Sequence, residues 1–256
     1  MRIALIQFDI AWNNPEKNIE TCTKIVNRAV EGGARLVILP EMFTTGCSNP
    51  TGEAALHAFK TGDSFLKEAS QEHGVFICGS IPVLESASDK PSNSIRLYSP
   101  EGLAGEYAKI HLFSMDGEDR EYLSGTSTLT RKIEDFSASF FICYDLRFPQ
   151  IFSKVARETD IYVIPANWPA NREYHWRSLL VARAIENQAF VVAVNRVGSG
   201  GGKRYPGSSM IISPMGEVLR RGSDKEELLL CDLDVEDVRK VRAALPFLED
   251  RREELY

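Results

Sequence analysis

No stretch of this 256-residue chain approaches the roughly 18 consecutive apolar residues of a membrane span, and "MRIALIQFDIAW" turns polar too soon for a secretory leader. It reads as a first strand. A basic surplus is missing as well: 30 Lys and Arg stand against 36 Asp and Glu, and a formal charge of −6 argues against gripping a phosphate backbone. Neither nucleic acid nor a membrane is expected as a partner. The five cysteines (Cys22, Cys47, Cys78, Cys143 and Cys231) are odd in number and scattered, with no C-x-x-C and no Cys–His pair at metal-ligand spacing. That usage fits a reducing cytoplasm and implies no structural zinc or other cofactor. No G-x-S-x-G serine elbow occurs. The one glycine-rich stretch, "GSGGGKRYPGSS", fails as a phosphate loop, because Arg204 follows Lys203 and Val197 stands where the first loop glycine belongs. It reads as a hairpin loop.

What is present is alternation. The length suits one domain with one large core, and 43% hydrophobic against 26% charged residues is the balance of a globular protein. "RIALIQFDI" leads into a helix for which Asn14 is the cap and Pro15 the first position, with Ile19, Cys22, Val26 and Val30 at helical spacing before Gly32 and Gly33. "RLVILP" is a short buried strand, a second helix runs from Ala54 to His73, and "GVFICGSIPV" returns as a strand. Such a succession belongs to an α/β layer fold. Shorter runs then flank "SPEG" as a hairpin would. Downstream come the strand "DIYVIPAN", a helix with Trp176, Leu179, Leu180 and Ala184 on one side, and the strand "AFVVAVNRV". A second hairpin around "SPMG" follows. The two halves thus look alike, and a two-layered sheet core with helices outside is the expectation.

Three residues at strand exits could carry chemistry. Cys143 ends the apolar run "SASFFIC", ahead of a helix expected near Pro149 in "RFPQIFSKVARE". It is either a core thiol or a nucleophile at a strand-to-helix turn. Histidine offers it no base: His57 and His73 fall in the second helix, His175 opens another, and His111 merely follows Lys109 closely. Glu41, directly after "RLVILP", and Lys109, at the end of "LAGEYAKI", are better placed. Alone, each has a plain reading, as a cap or loop acid and as a snorkelling surface lysine. Together the three make an acyl-transfer site without histidine. A glutamate can take the thiol proton, while a lysine and the Tyr144 backbone N–H can hold the oxyanion. Burial and mutual charge would have to tune these groups.

"LPEMFTTG", "YAKIHLF" and "FFICYDLRFP" resemble, in that order, the glutamate, lysine and cysteine motifs of the nitrilase, or carbon–nitrogen hydrolase, superfamily. With "ARAIENQAFVVAVNRVG" downstream, the resemblance covers essentially the whole chain. It implies a four-layer α-β-β-α sandwich with Glu41 as general base, Lys109 as intermediate stabiliser and Cys143 as nucleophile. A second glutamate in "SMDGEDREY", Glu118 in preference to Glu121, would orient Lys109 and the substrate nitrogen. Sandwiches of this superfamily pair back to back, which implies at least a homodimer through "RFPQIFSKVARE" and the tail from Pro246 to Tyr256.

"CYDLRFP", "ANWPANREYHW" and "RAIENQ" further resemble the ω-amidase branch, which hydrolyses the terminal amide of 2-oxoglutaramate and 2-oxosuccinamate. The carboxylate remote from that amide calls for a cation. Arg172 is the first candidate and Arg147 the second, unless Arg147 is a structural partner of Asp145. Asn167 and Trp168 leave the same strand as Arg172 and are expected to line the pocket. Two other readings remain. The triad could act on an N-carbamoyl amino acid, another linear amide or a nitrile, or the chain could be a non-catalytic binding protein on this fold. Intact Glu41, Lys109 and Cys143 weigh against the last.

Overall fold

Nearly every residue of the first two strands is buried, yet successive side chains enter different cores. Ile3, Leu5, Leu36 and Ile38 point into an interior shared with a second sheet, whereas Ala4, Ile6, Val37 and Leu39 pack beneath helices. A strand buried on both faces alternates in this way because its side-chain period is two. The architecture follows from that division.

The protein is described by a computed structural model covering residues 1–255; Tyr256, the end of the tail expected at a subunit contact, lies outside the described residues. The first half runs β1 (Arg2–Gln7), α1 (Pro15–Glu31), β2 (Leu36–Ile38), α2 (Gly52–His73), β3 (Phe76–Val83), β4 (Ser92–Ser99), β5 (Gly102–Ala108) and a short α3 (Glu118–Glu121). The second half runs β6 (Leu129–Ile133), β7 (Phe136–Phe140), α4 (Pro149–Lys154), β8 (Ile161–Ala166), α5 (Glu173–Asn187) and β9 (Phe190–Asn195). Then follow β10 (Val197–Gly200), β11 (Lys203–Pro206), β12 (Met210–Ile212), β13 (Val218–Arg221), β14 (Glu227–Asp232) and α6 (Val235–Ala244).

Two six-stranded sheets result, ordered β14-β1-β2-β3-β4-β5 and β13-β12-β9-β8-β7-β6. Their topologies match. In each, two parallel pairings (β1–β2–β3 and β7–β8–β9) are followed by two antiparallel ones (β3–β4–β5 and β9–β12–β13). The "SPEG" and "SPMG" hairpins occupy corresponding places, so the likeness of the two halves is structural. Helices α1 and α2 cover one sheet, and Phe152 of α4 with Trp176, Leu180 and Ala184 of α5 covers the other. This is the four-layer α-β-β-α sandwich. The glycine-rich stretch forms the β10–β11 hairpin. No helix among the described residues is long and apolar enough to cross a membrane.

Helix α4 begins at Pro149, as expected. The segment after Pro149 is helical only to Lys154, then tightens into a turn over Ala156–Glu158. In α1 the cap is as expected, with Asn14 Oδ1 accepting from the Lys17 N–H at 3.1 Å, but the buried stripe is Asn18, Cys22, Val26 and Ala29. Ile19 and Val30 are only partly covered. Asn18 takes the centre because its amide is spoken for. Its Oδ1 accepts from the Ala11 N–H at 2.7 Å, and its Nδ2 donates to the carbonyls of Ala11 and Thr44, each at 2.8 Å. One side chain therefore ties α1 to the loop that carries Glu41. Asn18→Ala should lose about 1–3 kcal/mol in urea unfolding, the cost of leaving those backbone groups buried and unpaired. A change within about 0.5 kcal/mol, the range of an ordinary surface substitution, would show that the tie is dispensable.

Candidate active site

The thiol sits on a strained turn. β7 stops at Phe140, and a single 3-10 turn over Cys143–Arg147 precedes α4, with Cys143 itself at φ +44°. A non-glycine residue there costs of order 1–3 kcal/mol and persists only where its surroundings over-determine it. This geometry lifts Cys143 out of the apolar run and leaves it partly exposed. Burial, then the Glu41 charge and hydrogen bond, push the thiol well above its usual range, against the pull of Lys109 and the Asn167 backbone. At rest the proton stays on sulfur.

Glu41 lies just beyond β2 and Lys109 directly after β5, and both are buried, at 0% and 2% exposure. Lys109 Nζ donates to Glu41 Oε1 at 2.9 Å and to Glu118 at 2.8 and 3.1 Å. Glu118 is thus the second glutamate at the lysine; Glu121 is exposed. Burial alone would push the Glu41 carboxyl up. The Lys109 charge, with hydrogen bonds from Lys109, the Asn167 backbone and Cys143, outweighs it and holds Glu41 below the usual carboxylate range. Burial works against the Lys109 ammonium too, but Glu118 and Glu41 raise it well above its usual value. An ionised Glu41 therefore meets a protonated thiol, with the Lys109 ammonium beside both.

Asn167 does more than line the cavity, since its backbone N–H donates to Glu41 Oε2 at 2.8 Å and its side-chain amide to the Glu41 carbonyl. Trp168 both lines the pocket and packs. Its N–H bonds Asn195 Oδ1 at 2.7 Å, its Nε1 bonds the Arg172 carbonyl at 2.7 Å, and its ring leans on Trp176.

The pocket, about 550 Å³ with its open mouth, is lined by the buried Glu41, Lys109 and Glu118, by the half-buried Cys143, and by Tyr144, Asn167 and Trp168. Arg147, Arg172 and Lys203 also line it, with Cys47, Asp116 and Tyr205 among the other lining residues. Arg147 is not the partner of Asp145. Its guanidinium lies 4.8 Å over the Trp168 ring, as that of Arg172 lies 5.4 Å over Phe113. Neither arginine forms an ion pair with a carboxylate among the described residues, whereas Lys203 pairs with Asp116. The two unpaired guanidiniums are close enough that Arg172, after burial, lowers the pKa of Arg147.

A model of the carbon–nitrogen hydrolase family matches residues 2–243. The chain belongs to that family. It is 34% identical over 257 residues to a 2-oxoglutaramate amidase of Bacillus subtilis, covering 99% of this chain and 98% of that one. To Omega-amidase YafV of Escherichia coli K12 it is also 34% identical, over 260 residues, covering 99% and 97%. Among solved structures, a carbon–nitrogen hydrolase superfamily protein of Xanthomonas campestris with an arsenic adduct in its active site superposes with TM-score 0.89 at 30% identity, covering 98% and 97% of the two chains. An amidase of Nesterenkonia sp. AN1, with acrylamide added to its active-site cysteine, gives 0.87 at 25% identity, covering 100% and 98%.

The sequence reading missed several contributors to this candidate site. Asn93, inside β4, donates one amide to Glu41 Oε1 at 2.9 Å and to Glu118 Oε1 at 3.0 Å. The Phe113 N–H donates to Glu118 Oε2 at 2.7 Å. A buried asparagine amid "SNSIRLYS" is a weak signal in a sequence, though a polar residue in a strand that must bury both faces implies a partner. The electrostatics are directly testable. In a carbon-13 NMR titration, assigned by loss of the signal in Glu41→Gln, Glu41 should protonate below the model-peptide value of about 4.3. Lys109→Met should move that step upward; a Glu41 step at or above the model value in the parent would contradict the arrangement.

Proposed function

We propose that this carbon–nitrogen hydrolase cleaves the terminal amide of a small 2-oxo dicarboxylic acid monoamide, such as 2-oxoglutaramate or 2-oxosuccinamate, and releases ammonia. The observation that carries the reading is the pair of uncompensated guanidiniums, Arg147 and Arg172, in the pocket that holds Cys143. A partly buried cation pair is costly unless an anion joins it, and a planar guanidinium suits a carboxylate. The names of the Bacillus subtilis and Escherichia coli relatives support the same substrate class.

In the mechanism that fits this geometry, Glu41 accepts the Cys143 proton as sulfur attacks the amide carbonyl carbon. Lys109 Nζ and the Tyr144 N–H face the oxyanion that forms. The amide nitrogen takes the proton from Glu41 and leaves as ammonia, giving a thioester. Water then loses a proton to Glu41 and attacks that carbonyl, and the departing sulfur recovers the proton. Glu118 holds Lys109 in place and faces the substrate nitrogen. Arg172, with Arg147 beside it, takes the remote carboxylate, while Asn167 and Trp168 wall the chain between. The protein is further read as cytoplasmic and as a homodimer joined through α4 and the tail. On its own chain that tail already seats Arg251 on the carbonyls of Ser153 and Glu186, leaving Phe247 half exposed. Sedimentation at micromolar concentration should give a dimer; a lone monomer would remove that claim.

Substrate assignment is tested by ammonia release from 2-oxoglutaramate and from a neutral amide of similar size. Cys143→Ala should abolish both activities without unfolding the protein. Arg172→Ala should lower kcat/KM for 2-oxoglutaramate about 30- to 1000-fold, with Arg172→Lys recovering part, while the poor rate on the neutral amide barely changes. Equal losses on the two substrates would make Arg172 a structural residue and remove the main physical support for a dicarboxylic monoamide. Faster turnover of N-carbamoyl amino acids by the parent would favour that class instead.

A further inference from the structure

We propose that Asp145 is a positioning residue that sets the Cys143 turn against the strand carrying Lys109, with His111 as its principal link. The proposal rests on the reading of Cys143 as the nucleophile, and not on the identity of the amide. Asp145 is fully buried, and its carboxylate accepts four hydrogen bonds. Oδ2 takes the Ile142 N–H at 3.0 Å and the Tyr107 hydroxyl at 2.7 Å. Oδ1 takes the His111 N–H at 2.9 Å and His111 Nδ1 at 2.9 Å. Four is the acceptor capacity of a carboxylate, so nothing is left over for a substrate.

The donors come from two segments only. Ile142 immediately precedes Cys143, whereas Tyr107 and His111 stand two residues to either side of Lys109. One carboxylate therefore bridges from the turn after β7, in one sheet, to the exit of β5, in the other. The same group also supports the strained turn. The Asp145 N–H donates to the Ile142 carbonyl at 2.9 Å while Oδ2 holds the Ile142 N–H, closing a ring around Cys143 at its left-handed φ. Farther along, Arg183 Nη2 fixes the Leu146 carbonyl at 2.7 Å. The His111 ring lies flat on Phe148, centroids 3.6 Å apart and planes within 7°, which orients Nδ1 toward Asp145. A carboxylate accepting here is met by the His111 tautomer with its proton on Nδ1. Neither residue lines the pocket. His111 is thus not the base that a Cys–His pair would suggest; it acts on the reaction by placing the thiol and the ammonium relative to each other.

Misplacement of reacting groups by an ångström can cost on the order of 100-fold in rate. His111→Ala should therefore lower kcat about 10- to 100-fold with KM within about twofold of the parent, and should slow alkylation of Cys143 by iodoacetamide in proportion. His111→Asn, whose amide nitrogen can occupy the place of Nδ1, should restore most of both rates. Asp145→Asn, which turns an NH2 toward two donors, should lose at least as much as His111→Ala; should it fail to fold, the two His111 variants decide. Parental kcat and alkylation rate in His111→Ala would overturn the proposal. So would equal losses in the alanine and asparagine variants accompanied by a rise in KM, the mark of general loosening. Turnover by Cys143→Ala would instead sink the nucleophile reading itself, whatever the His111 variants do.

Discussion

An ammonium group almost without solvent access, held between two carboxylates, is the constraint around which the pocket is organised. An ion buried alone would cost several kcal/mol, so Lys109 is tolerable only with Glu41 and Glu118 within 2.9 Å of it. Two carboxylates against one ammonium then leave an excess of negative charge. Neutral donors absorb it: Asn93 bridges both glutamates, the Asn167 N–H caps one and the Phe113 N–H the other. The thiol is the last member of this network. With Glu41 held ionised and Cys143 held protonated, the thiol and the carboxylate are already in contact, and no histidine takes part in that contact.

The double sheet explains how such a cluster can be rigid. Cys143, Lys109 and Glu41 leave three strands in two stacked sheets, each strand locked on its neighbours and each sheet pressed on the other by an apolar interior. Groups on one strand could not surround a carbonyl carbon. Groups at three exits can, provided that the sheets do not slide. Cross-sheet ties such as Asn167 to Glu41 and Asp145 to His111 do for the polar end of the sandwich what Leu5, Ile38 and Val163 do for its interior.

Sequence reasoning recovered the layers, the two hairpins and the three strand-exit residues, because periodicity and strand-exit placement are local properties. It failed where the deciding contact was distant in the chain. Asn93 looks like any polar residue in a strand until β4 is seen to pass between Glu41 and Glu118. Asp145 looks like a natural partner for Arg147, two residues away, yet its partners are 34 and 38 residues upstream. The α1 stripe was legible at Cys22 and Val26, with Ile19 and Val30 at its edge, but not at Asn18, which Thr44, 26 residues on, draws inward. Hydrophobic period describes a helix face well only when no buried hydrogen bond competes for it.

That release of Arg147 from Asp145 bears on substrate choice. Had Asp145 neutralised Arg147, the pocket would hold one free guanidinium; with Asp145 fully engaged by Ile142, Tyr107 and His111, it holds two. The chain as a whole carries −6, so a cationic wall is a local feature rather than a reflection of bulk composition. Aromatic faces, Trp168 beneath Arg147 and Phe113 beneath Arg172, hold the two cations without discharging them. A carboxylate partner would have stabilised either arginine more, but it would have occupied the fork that the proposed substrate needs. Stacking on rings leaves both guanidiniums without a carboxylate partner among the described residues, Arg147 meeting His175 Nδ1, which can be neutral, at 3.3 Å, in the same pocket that Glu41 and Glu118 line. Under the proposed function, that field favours one orientation of a ligand with an amide at one end and a carboxylate at the other, the amide toward Cys143.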